Sequence, residues 1–376
     1  VQGLGAAALV PTSLALVSRY FDKEERGRAI GIWAGASALT TAMGPALGGW
    51  LVDAFGWPAV FLIVPPVALL AVVLAVWRVP VDVTRTPGPL DYVGAALLAG
   101  ALVALVLAIL QIDLFPPLYW WVLSFVLGIA FLFRQHKSRT PMLPLTLFRI
   151  PAFSGVNLMT LLLYGALSGI LYFLPFNLIQ VQGYSALQTG AAFLPMTFLI
   201  GIGSIFAGAL TQRFSERRIL TIGPLIAGLG FAACALPGTE TNYLTDWLPA
   251  VVLIGIGMTL CVAPLTTVVM NAVDVDRAGL ASGVNNTAAR LAGVLAIAVL
   301  TAVAVSAFSS SLEGRLQDAA VVDDVREQLL AQSAMLADLD VPADTADAAG
   351  IGTMISHSYV DAFRRIALAS ALAAFL

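Results

Sequence analysis

The residues able to do chemistry in this chain are few, and most of them lie inside apolar runs. Asn157, Tyr164, Ser168 and Tyr172 step by seven, four and four through the run 151–175, a spacing that gathers them toward one helix face. Gln180 and Gln182 stand just beyond. Such a stripe lines a polar cavity or makes hydrogen bonds between helices, and the spacing fits both. A second group, Asn285, Asn286 and Thr287, precedes Arg290, which falls roughly two to three turns into a run beginning near Gly283. An arginine at that depth marks function by default. It could bind an anionic group or pair with an acid. It could also snorkel to the polar face or bond a helix C-terminus. The run 247–270 adds Thr259, Thr266 and Thr267, with Asn271 after it. Thr266 and Thr267 can bond their own helix backbone.

None of these residues assembles into a catalytic set. His136 and His357 lie far apart, so no metal spacing exists. Cys234 and Cys261 fall inside apolar runs and read as packing residues. The sequence contains no phosphate-cradling glycine loop, nucleophile elbow or basic–aromatic nucleic-acid patch. The chain is therefore not read as an enzyme, and no metal, cofactor or nucleic acid is expected.

The polar residues stand out against their background. Of 376 residues, 59% are hydrophobic and 11% charged, with a formal net charge of -3. The mean hydropathy is +0.92. Soluble chains carry about a quarter charged residues. The composition predicts an all-α integral membrane protein. Nine complete runs of about bilayer length are read at roughly 30–51, 58–77, 90–110, 118–134, 151–175, 187–211, 219–237, 247–270 and 283–308. Two cut runs, 1–18 and 358–376, make eleven transmembrane helices. Val1 opens inside one run and Leu376 closes inside another, which predicts an N-terminally truncated fragment.

Orientation follows from the loops. Arg19, Lys23, Arg26, Arg28, Arg78, Arg85, Arg134, Lys137, Arg139, Arg149, Arg213, Arg217, Arg218 and Arg277, 14 of the 19 basic residues, all fall in one alternating set of connections. The other short connections, 52–57, 111–117, 176–186 and 238–246, hold none. The first set is cytoplasmic. Residues 78–89 and 134–150 are polar, proline-bearing linkers around a hairpin, 90–134, whose spans are almost free of polar side chains. Loop 309–357 is the one long external connection. Leu312, Leu316, Val325, Leu329 and Leu336 recur in it near helical spacing among acids, which predicts one or two amphipathic helices on the outer surface.

The stretch from Arg19 to Trp50 combines charge with small residues. Asp22, Lys23, Glu24, Glu25, Arg26 and Arg28 separate two runs. Beyond them Gly31 and Gly35, Ala38 and Ala42, and Gly44 and Gly48 repeat at four-residue spacing, with Gly49 following. Each pair leaves a bare helix face that another helix can approach closely in lipid. Pro45 cannot donate to the carbonyl of Thr41 and should bend the helix. The stretch reads as a hinge or seal, or as an ordinary packing face.

ERGRAIGIWAGAS followed by GPALGG resembles the antiporter signature of the major facilitator superfamily. The whole chain resembles its fourteen-helix drug:proton antiporter branch. Other matching pieces are VQGLGAAALVPTSLALV at 1–17, PLDYVGAALLA at 89–99, PMLPLTLFRIPAFSGVNLMTLL at 141–162, GALTQRFSERR at 208–218 and RAGLASGVNNTAARLAG at 277–293. The resemblance implies eleven of fourteen helices. Residues 1–77 form the remainder of an N-terminal bundle, 78–140 a linker with the extra transmembrane hairpin, and 141–376 a C-terminal bundle carrying the external loop. It makes Gly31, Gly35, Gly44, Pro45, Gly48 and Gly49 the signature helix. It makes Arg26, Arg28, Arg213, Arg217 and Arg218 parts of cytoplasmic gating loops. In the second of these loops Gln212 replaces the usual Asp, Ser215 the usual Gly and Glu216 a usual basic residue. Pro58 stands where an Arg normally follows Trp57, and Val64 where an Asn is common.

By resemblance the chain is a multi-pass cell-membrane transporter. It exports drugs or other amphipathic compounds in exchange for protons, with the proton gradient in place of any cofactor. Its partners are then a lipophilic small molecule, a proton and the lipid bilayer, and it acts as a monomer or docks a periplasmic adaptor. The family's proton-coupling residues, an acid in the first helix and an Arg before the fourth, would precede Val1. Two alternatives stay open: a dedicated exporter of one metabolite or siderophore, for which Arg290 suits an anion, and a non-transporting membrane remnant. The cavity candidates are Asn157, Tyr164, Ser168, Tyr172, Asn285, Asn286 and Arg290.

Overall fold

The computed structural model describes residues 36, 40, 43, 44, 47–78, 91–109, 116–138, 140–210, 214–273, 278–319, 321–339, 341 and 347–376. All regular structure among them is helical, and seven stretches are long and apolar enough to cross a bilayer. Helix α1 is continuous over 47–55. It stops at Gly56, whose φ of +80° suits a residue without a Cβ. Helix α2 (Pro58–Leu62) follows with proline in its first turn and leads into α3 (Val64–Arg78).

Helices α4 (Tyr92–Ile109) and α5 (Pro117–Lys137) pack chiefly on each other. The buried face of α4 is made of Gly94, Ala101, Ala104 and Ala108, small enough for close approach. Large apolar side chains such as Val103, Phe125, Ile129 and Phe133 are exposed, as lipid contact requires. A polar knot closes the inner end. The carboxylate of Asp91 accepts from the Gly94 N–H at 2.9 Å, from Gln135 Nε2 at 2.9 Å and from Arg134 Nε at 3.2 Å. Gln135 Oε1 in turn accepts from the Leu143 N–H at 2.9 Å, which ties the hairpin to the following linker.

Asp91 lies one residue before the apolar helix Tyr92–Ile109, whose start corrects the run read from 90, and the Gly94 N–H, with Gln135 and Arg134, holds its carboxyl below the ordinary aspartate value despite the opposing effect of burial. A lowered folded value means that the knot stabilises fully above the unfolded aspartate range and loses that contribution as pH falls through the folded value. The expected result is an acid-side decline in unfolding temperature, part of which disappears in Asp91→Asn. Thermal unfolding in detergent across the acid range checks this, and superimposable acid slopes would count against it.

The second half is a tighter assembly. A 3-10 turn (Leu145–Arg149) feeds α6 (Pro151–Phe176), which starts with proline in its first turn and widens into a π turn (Asn177–Val181) just after Pro175. Helices α7 (Ala186–Ala192), α8 (Leu194–Leu210) and α9 (Glu216–Ala233) follow. A second π turn (Tyr243–Trp247) opens α10 (Leu248–Asn271). Helices α11 (Ala278–Asp318), α12 (Asp323–Ala331) and α13 (Ala348–Phe375) complete the chain. Helix α6 packs on α11 and α13, α10 on α8 and α9, and α13 also on α9 and α11. Glycine makes these seams possible. Gly165 faces Ala292 and Ala296, Gly230 faces Ile254, Gly255 faces Met196 and Leu199, and Gly257 lies against the backbone of Ala227. Cys234 and Cys261 are buried, unbridged thiols within this packing.

The region 309–357 departs from the sequence reading of a long loop. Helix α11 runs unbroken through Asp318, and α13 begins at Ala348. The cause is a continuous apolar seam: Leu312 and Leu316 are fully buried in one cluster with Leu329, Ile351, Ile355 and Tyr359. Leu312 and Leu316, read as part of a separate amphipathic helix, extend the membrane helix itself, while Leu329 lies in the separate short helix α12, which a 3-10 turn (Ser333–Met335) follows. Arg315 donates to Asp361 at 2.8 Å, Ser311 donates to the same carboxylate at 2.8 Å, and Arg364 reaches both Asp361 and the Ala235 carbonyl. This cap is thus welded to the bundle below it.

Candidate functional site

Among the sequence candidates, Asn157 and Asn285 are brought together. Asn157 is 7% exposed and lies in the first turns of α6, near the cytoplasmic end. Its amide donates to the Phe153 carbonyl at 2.8 Å. Asn285 Nδ2 donates across to Asn157 Oδ1 at 3.3 Å and to Thr160 Oγ1 at 2.8 Å, while Thr160 donates to the Val156 carbonyl. The network joins α6 to α11 and leaves little of Asn157 for a ligand. Thr160 is a member that sequence reasoning missed, although its position three residues after Asn157 could have suggested it.

Higher in α6 the candidate stripe turns. Tyr164 is half-buried against the core. Ser168 is also half-buried, and its Oγ approaches Gly293 closely enough that a Cβ there would sit 3.1 Å away. Tyr172 is 44% exposed. Its ring stands edge-to-face on Phe173 at 5.0 Å and tilted against exposed Phe176 at 5.6 Å. The four residues therefore do not form one exposed wall: Asn157 points into a helix pair, and Tyr172 presents an aromatic surface near the outer end.

Helix α11 carries the other exposed group. Gly283, Asn286, Thr287 and Arg290 are exposed at helical spacing. The Asn286 side-chain amide donates to Ser282, and the Thr287 hydroxyl to Gly283, within their own helix. Arg290 has no hydrogen bond or ion pair to any described residue. It lies twelve residues, or about 18 Å along the axis, from the start of α11, and seven residues past Gly283. At the cytoplasmic end of α9, Arg217 and Arg218 line an open recess with Ser215, Thr221 and Ile222. Arg26, Arg28, Arg213, Gly31, Gly35 and Pro45 lie outside the described residues.

The signature glycines divide sharply. A Cβ on Gly44 or Gly48 would meet nothing within 4 Å. A Cβ on Gly49 would run into the Ala186 carbonyl and the Leu187 Cα, backbone atoms that cannot rotate away. One helical turn later, Asp53 Oδ2 accepts from the Leu187 N–H at 2.8 Å. Asp53 falls in the short connection 52–57 that follows the run 30–51.

This is the architecture of a helical multi-pass membrane protein. Residues 1–297 match the Major Facilitator Superfamily, and the chain belongs to that family of multi-pass membrane proteins. It is 33% identical over 340 residues to the "Multidrug resistance protein Stp" of Mycobacterium tuberculosis, covering 88% of this chain and 62% of that protein. It is 33% identical over 318 residues to the "Tetracenomycin C resistance and export protein" of Streptomyces glaucescens, covering 80% of this chain and 57% of that protein. The chain thus spans less than two thirds of the length of these curated relatives. In fold it is similar to a bacterial homolog of the human lysosomal transporter Spinster, crystallised in an inward-facing and unoccupied conformation. That match has a TM-score of 0.57 at 16% identity and covers 98% of this chain and 74% of that one.

Proposed function

We propose that this protein exports drugs or other amphipathic organic compounds across the cell membrane by proton antiport. The observation that carries the reading is the similarity, over most of the chain, to proteins named for multidrug resistance and for antibiotic resistance and export. The exposed surfaces agree with it. Tyr172 and Phe176 offer an aromatic face to lipophilic compounds, and Asn286 and Arg290 offer sparse polar anchors. Few anchors on an apolar surface bind many lipophilic molecules loosely. Proton antiport needs a titratable carboxylate reachable from both sides of the membrane. Asp361 does not suit that task, because it is committed to Arg315, Arg364 and Ser311.

Arg290, which bonds to no described residue, favours a second reading, a dedicated exporter of one anionic metabolite. Inside-out vesicles holding the full-length protein separate the two. Proton release driven by several unrelated lipophilic cations and antibiotics is the expected result. A response confined to a single anion would select the dedicated exporter. Silence with every compound, from protein shown to be folded, would overturn transport altogether.

A further inference from the structure

The contact between Asp53 and Leu187 joins residues 134 positions apart and links the two halves of the chain. It lies on the side whose short loops, 52–57 and 176–186, hold no Lys or Arg, so it is external. Its chemistry is specific. Segment 185–192 is already capped from within: Ser185 accepts from the Gln188 N–H, and Gln188 returns the bond to the Ser185 N–H. The Thr189 N–H reaches the Ser185 carbonyl. The Leu187 N–H is left between these bonds, and a carboxylate from the other half of the molecule takes it. Gly49 permits the approach, because any side chain there would strike the Ala186 carbonyl.

We propose that Asp53 is an outer latch: its bond to the Leu187 N–H, seated by the bare backbone of Gly49, holds the external ends of the two halves together. The inference rests on the transport reading, since a carrier with a central site must part its two halves on each side in turn. Release to the outside then requires this bond to break and the Gly49 surface to separate. A hydrogen bond to an ionised carboxylate is stronger than a neutral one, yet Asp53 is exposed. The latch is therefore firm enough to bias the equilibrium and weak enough to open.

The test uses the full-length protein in nanodiscs, with spin labels at the exposed external positions Trp57→Cys and Leu236→Cys. The buried Cys234 and Cys261 are left in place. Pulsed electron resonance reads the distance distribution between the labels. Asp53→Ala is expected to enrich the long-distance, outward-open population about tenfold over the parent, and Asp53→Asn, which keeps an acceptor oxygen without the charge, to fall between them. A distribution unchanged in Asp53→Ala, from protein with parental thermal stability, would overturn the latch. The readout does not depend on substrate. If vesicle transport fails while Asp53→Ala still shifts the distances, the export reading falls and the latch stands.

Discussion

Arg290→Ala in the full-length protein is expected to cut substrate-driven proton exchange about a hundredfold, with normal insertion and thermal stability. The argument is one of position and partners. Arg290 lies about 18 Å into α11, is exposed, and bonds to no described residue, so its removal leaves no stranded acid among them. A cation free of described partners is available to an anionic or polarisable ligand group, and losing a charge-assisted contact of roughly 3 kcal/mol corresponds to about a hundredfold. Arg290→Lys should recover part of the activity, as a point charge replaces a planar fork. Parallel dose–response curves for Arg290→Ala and the parent, across both cationic and anionic compounds, would assign the residue to snorkelling instead.

Gly257→Leu is expected to prevent recovery of folded protein. Its Cβ would occupy the place of the Ala227 backbone nitrogen and lie against the Ala227 Cα and Cβ, the latter two at 2.7 Å. No rotamer relieves a clash with backbone, so α9 and α10 must separate. That exposes Ala227, Phe231, Met258 and Cys261, all now fully buried. Overpacking in a well-fitted core costs about 1–3 kcal/mol where neighbours can yield; here both neighbours are helix backbones, so the loss should lie at or above that upper value. Gly128→Leu is the control, because a Cβ there meets nothing within 4 Å. Size-exclusion profiles and unfolding temperatures of the two variants decide the matter; a monodisperse Gly257→Leu with parental stability would refute the packing argument.

The membrane helices were legible because their physics is local. Proline in the first turns of α2, α5 and α6 and the one-sided distribution of Arg and Lys can all be read along the chain. What failed to read was set by neighbours. Asn157 and Tyr172 are fifteen residues apart, and at 3.6 residues per turn they differ by about 60° around the helix. A drift of that size is enough to send one into α11 and the other outward. Ser309, Ser310, Ser311 and Glu313 interrupt the apolar run and look like a span end. Leu312 and Leu316 keep the helix going only because Leu329, Ile351 and Ile355 lie across from them. Asp53 gave no signal beyond its charge, since its partner is a backbone N–H in the other half of the chain.

Helix α11 is 41 residues long, about 62 Å of uninterrupted rod with no proline inside it. About half of that length is enough to cross a bilayer core. The remainder is clamped to α13 by the Arg315–Asp361 pair and the buried leucines, so membrane part and outer cap have no joint between them. The rod is a lever. A tilt of about 10° inside the membrane swings a tip about 30 Å farther out through roughly 5 Å, enough for a bound antibody fragment or a fluorophore to register. A tilt of α11 in the membrane would therefore emerge as a displacement of the cap at the cell surface, and an agent that pins the cap is expected to oppose that tilt.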